Sequence, residues 1–76
     1  MSTLVAQHHH NAAEHLTQAA FHHKQAQRLQ EAGNYKDAAH HACLAHAHLH
    51  YAEVYTLEAD KAYLDVHSGR GRAATA

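Results

Sequence analysis

The stretch HHACLAHAHLHY, residues 40–51, places five histidines and the chain's single cysteine within twelve positions. Imidazole and thiolate suit Zn²⁺, Ni²⁺, Cu²⁺ or Co²⁺ and disfavour Mg²⁺ or Ca²⁺. Whether several such groups can act on one ion depends on where they point. Residues four apart on a helix share a face, so His46 and His50 form a pair one turn apart, the spacing by which a helix grips one metal. Cys43 lies one turn before them and Glu53 one turn after, adding a soft and a hard donor. His41 and His48 fall on a different face, and His40 on a third. The first candidate metal set is therefore His46, His50, Cys43 and Glu53.

Those faces exist only if the segment is helical, and the rest of the chain argues that it is. There is no Pro, Trp or Ile and only three Val, while Ala, Leu, Gln and Glu are all more frequent. That composition favours helix and offers little to a strand. In the first half Val5, Ala12, Ala19 and Ala26 recur by sevens, with His8, His15, His22 and Leu29 three residues behind them. In the second half Ala38, Ala45, Ala52, Ala59 and Val66 do the same, followed by His41, His48, Tyr55 and Ala62. Each array is a heptad repeat with a small-residue seam.

Between the arrays lies EAGNYKDA. Gly33 suits the left-handed residue that ends a helix, Asn34 is a good N-cap, and Asp37 sits where a capping-box acid reaches back. The sequence predicts one domain, 1–68, made of helices at about 4–32 and 35–67. Ser2 or Thr3 starts the first and Ser68-Gly69 stops the second. Residues 69–76 are expected to be a disordered basic tail. Each helix would be about 40–50 Å long at 1.5 Å per residue.

So short a turn makes the pair antiparallel. Counting from it, Val5 lies level with Val66, Ala12 with Ala59, Ala19 with Ala52 and Ala26 with Ala45. Alanine facing alanine permits close approach but buries little apolar area. Leu4, Leu16, Leu29, Leu44 and Tyr51 leave further apolar surface beside the seam, and two helices alone rarely hold together. The expected fold is all-α: a long antiparallel two-helix hairpin with an Ala-rich heptad seam, dimerising into a four-helix bundle. His22 and His23 would then lie level with His48 across the seam, with His15 and His41 one to two turns away. His22, His23 and His48 form the second candidate metal set. Di-metal bundle enzymes use inward Glu with Glu-x-x-His, and here Glu14, Glu31, Glu53 and Glu58 all map outside or to the flank.

The segment EAGNYKDAAHHACLA resembles the turn and second helix of a tetratricopeptide repeat, and the similar hairpin of microtubule-interacting-and-transport domains. The helices here are about twice a repeat's length. Over most of the chain, the Ala/His heptads with AGNYKDAAHHA resemble small His-rich bacterial proteins without an assigned function. That resemblance implies the helical hairpin and supplies no site.

The function classes narrow by exclusion. A net charge of −1, with Arg70 and Arg72 as the only tail cations, gives no footprint for nucleic acid. No apolar run approaches the ~20 residues of a membrane span, and MSTLVAQHHH lacks the apolar core of a signal peptide, so a cytoplasmic protein is expected. The triplet His8–His10 falls in register with the repeat and belongs to it. Cys43 has no orienting group or oxyanion donor in sequence reach, and no C-x-x-C-H haem attachment motif occurs. The reading is no enzyme, no catalytic residue and no cofactor besides a divalent transition metal. The chain is expected to be a small homodimeric His-rich protein that binds or buffers such a metal. The alternative is a structural or protein-interaction module without one. The twelve histidines add one expectation. If His15, His22, His41 and His48 are partly buried and neutral, acid loosens the fold below pH ~6.5.

Overall fold

The computed structural model describes the backbone of residues 2–75 and the side chains of residues 3–67. Two helices, α1 (Ser2–Glu31) and α2 (Tyr35–Thr75), pack against each other as an antiparallel hairpin. The molecule measures 62 × 20 × 12 Å. Among the described residues no helix is long and apolar enough to cross a membrane.

The turn is built by hydrogen bonds that only a left-handed residue permits. Gly33 has φ 82°. Its N–H donates to the Gln30 carbonyl at 3.1 Å, and the Asn34 N–H donates to the Leu29 carbonyl at 2.8 Å. This crossed pair is the Schellman motif, which satisfies the orphan carbonyls at the end of α1. Asn34 then caps α2. Its side-chain carbonyl accepts from the Asp37 N–H at 3.4 Å, and its main-chain carbonyl takes the first helical bond from Ala38 at 3.0 Å.

Asp37 does reach back, but to the Asn34 side-chain amide, which donates to its carboxylate at 2.9 Å. The backbone N–H that a capping box would use is already given to Leu29. At the far end α2 continues through Ser68-Gly69, where the sequence reading stops it. A glycine without a closing hydrogen-bond pattern weakens a helix by about 1 kcal/mol relative to alanine and need not end it. The side chains of the expected tail lie outside the described residues.

Alanine forms the interior. Among the described residues those buried are Ala12, Ala19, Ala38, Ala45, Ala52 and Ala59, with Ala45 fully covered. All six belong to the first column of each heptad array, whose other members, Val5, Ala26 and Val66, are half-buried. The second column, His8, His15 and His22 against His41, His48 and Tyr55, is half-buried beside them. Large apolar side chains are pushed to the outside: Leu16, Leu49, Tyr35 and Tyr63 are all exposed.

Two substitutions check this construction. Gly33→Ala meets no atom within 4 Å, so its effect comes from the backbone alone and should be a loss of about 1–2 kcal/mol. Ala52→Leu forces the helices apart and should lose about 1–3 kcal/mol by overpacking. Urea unfolding followed by circular dichroism measures both, with a lower midpoint expected at unchanged slope.

Candidate functional site

Between the helices, rings from α1 and α2 alternate along the seam. From the turn outward the order is His41, His22, His48, His15, Tyr55 and His8. His22 and His41 face each other with Nδ1···Nδ1 at 3.0 Å, and His15 and His48 do the same at 2.9 Å. His22 also stacks on His48, with centroids 5.7 Å apart and planes within 8°. His15 stacks on Tyr55 at 5.7 Å and 10°, and Tyr51 flanks it at 5.1 Å. The contacts interleave: His15 meets both His48 and Tyr55, and His22 meets both His41 and His48. Each of the inner rings, His22, His48, His15 and Tyr55, sits between two of the facing helix, while His41 and His8 end the row.

An Nδ1···Nδ1 hydrogen bond needs one ring to donate and the other to accept. Two neutral imidazoles, or one neutral and one charged, can do this. Two imidazolium rings present donors only and cannot. At the open end the pattern changes, because Tyr55 stands where a third histidine would face His8. Their rings are 6.4 Å apart, and the buried His8 Nδ1 has no hydrogen-bond partner. His8 borders a cleft of about 370 Å³ lined also by Leu4, Glu58, Lys61 and Asp65.

The expected metal ligands distribute differently from the seam rings. His46 and His50 are exposed on α2, Glu53 is exposed at the seam edge beside Leu16 and Leu49, and Cys43 is a free, exposed thiol. Of the second set, His22 and His48 come together while His23 does not. Successive helical residues diverge by about 100°, and His23 turns outward to a cleft of about 360 Å³ with Ala26, Gln30, Tyr35 and Ala38. Among the described residues no three of His, Cys, Asp and Glu converge as a metal-holding group. His15 and His41, outside both candidate sets, prove to be the Nδ1 partners of His48 and His22. The signal for them was present in the second heptad column. The packing of Tyr51 on His15 and the unpartnered His8 nitrogen carried none.

No protein-family model, curated protein or solved structure matches the chain. Its chemistry has to be read from these side chains.

His22 is held below its ordinary value near 6.5 by burial first, then by the positive charge of His41, His48 and His40 when these are protonated. The folded state therefore prefers neutral His22 more than the unfolded chain does. That preference contributes stability fully above pH ~6.5 and loses it as pH falls toward the lowered folded value. The melting temperature should drop between pH 7.5 and pH 5, and His22→Gln should flatten part of that slope. An unchanged melting temperature across this range would show the His22 ring to be solvated.

Proposed function

We propose that the protein is a non-enzymatic helical interaction module that pairs with a second copy of itself to form a four-helix bundle. The observation that carries this reading is the interior made of alanine while larger apolar side chains stand outside it. Alanine burial contributes little per residue, and a hairpin this small needs more apolar area than its own seam supplies. Leu16 of α1 and Leu49 of α2 flank one edge of the seam. With Ala52, Thr56 and Leu57 they line a cleft of about 340 Å³, to which Glu53 and Asp60 add a carboxylate rim. The Tyr35 cleft opens on the same edge nearer the turn, and Tyr63 follows Leu49 and Thr56 in the same heptad column. A mate covering this edge buries Leu16, Leu49, Tyr35 and Tyr63 over an alanine floor. Bundles of two hairpins bury such edges in the same way.

Sedimentation at micromolar concentration tests the reading. The unmodified chain should run as a dimer. Leu49→Glu should dissociate it and lower its helix content, while Val54→Glu, an exposed position that lines neither cleft, should leave it dimeric. A stably folded wild-type monomer would overturn the proposal. The transition-metal reading retains one specific observation in its favour, the two short imidazole pairs of the seam.

A further inference from the structure

We propose that the seam pairs His15/His48 and His22/His41, and not the outward His46/His50 pair, form the protein's binding site for a divalent transition metal. The inference does not rest on self-association, since both pairs lie within one hairpin.

The distances point to the kind of ion. A metal–imidazole bond is about 2.0–2.1 Å. Two nitrogens 2.9 and 3.0 Å apart then subtend an angle of about 90° at the ion, the cis angle of square-planar coordination. A tetrahedral ion at the same bond length needs about 3.3–3.4 Å, so the helices would have to open by several tenths of an ångström. The nitrogen spacing matches the cis angle of Cu²⁺ and Ni²⁺ better than the tetrahedral angle of Zn²⁺. Water completes the coordination at the half-exposed edge of the seam.

The proton accounting is simple. In each neutral pair one Nδ1 carries the shared hydrogen and the other presents its lone pair. For both to ligate, the donor ring moves its proton from Nδ1 to Nε2, and no net proton is released. The ion sits about 1.4–1.5 Å to one side of the line that the hydrogen bond held, and both rings tilt to aim their Nδ1 lone pairs at it.

Two features separate this site from the outward pair. The seam rings are already ordered, by stacking of His22 on His48 and of His15 on Tyr55. His46 and His50 are exposed and must be ordered on binding. The seam pairs also join two helices, so an ion there braces the hairpin against opening. Because the His22–His48 stack makes the two pairs adjacent, an ion at one places a double charge beside the other. One tight ion per hairpin is expected, with a weaker second.

The test is calorimetric titration of untagged protein, purified without a nickel column, with CuSO₄, NiCl₂ and ZnSO₄. Wild type should bind one Cu²⁺ per chain, and more tightly than Zn²⁺. A His41→Tyr/His48→Tyr variant, which copies the ring at Tyr55, should lose affinity by at least about tenfold. His46→Ala/His50→Ala should bind within about twofold of wild type. Equal binding by the seam variant, or loss in the outward variant, overturns the proposal. A readout on the unmutated chain guards against a seam variant that fails to fold. A small fraction of an equivalent of Cu²⁺ should broaden the ring resonances of His15, His22, His41 and His48 before those of His46 and His50. The reverse order overturns the assignment.

Discussion

A methyl group at every seventh position sets how closely the two helix backbones run, and most other features follow from that closeness. Ala12, Ala19 and their counterparts on α2 leave no depth for a layer of leucines. What stands beside them must be thin enough to slide between the helices and long enough to meet across the gap. Imidazole and phenol rings meet both demands, and they stack face to face where a branched side chain would need a hole. The order His8, His15, His22 against His41, His48, Tyr55 is the packing answer to an alanine seam.

That answer has a polar consequence. A stack of leucines has no hydrogen bonds to place, whereas every imidazole brings two nitrogens that want partners. Facing two histidines solves the problem for His15 with His48 and for His22 with His41. Facing His8 with Tyr55 does not solve it for His8 Nδ1. The seam is thus best satisfied near the middle of the hairpin and least so at its open end. The same thinness exports apolar area: Leu16, Leu49, Tyr35 and Tyr63 sit outside because the seam has no room for them.

Much of this was legible in the heptads. A repeat of seven fixes which residues share a face, so the split between inward His41 and His48 and outward His46, His50 and Cys43 could be read directly. Gly33 and Asn34 announced the turn because few residues do what they do there. Which ring meets which could not be read. Periodicity gives the column, but knobs-into-holes packing seats each residue between two across the gap, so level counting from the alanines misses the pairing. It also led to grouping His22 with its sequence neighbour His23, which helical rotation carries outward. Asp37 found a different partner because a bond inside the turn had already claimed the Asn34 N–H. Ser68-Gly69 resembled a stop in composition alone.

The turn at Gly33 also orders events in time. His22 and His41 are 19 residues apart along the chain, and His15 and His48 are 33 apart. Each contact, once made, shortens the loop that the next must close, and doubling an open loop costs only about 0.6 kcal/mol. The hairpin can close like a zip, from the glycine outward, each ring landing between two already placed or about to be. Chains whose contacts are this local fold quickly, in microseconds to milliseconds for helical domains. The rings nearest Gly33 are the first to find each other, and His8 is the last to be enclosed.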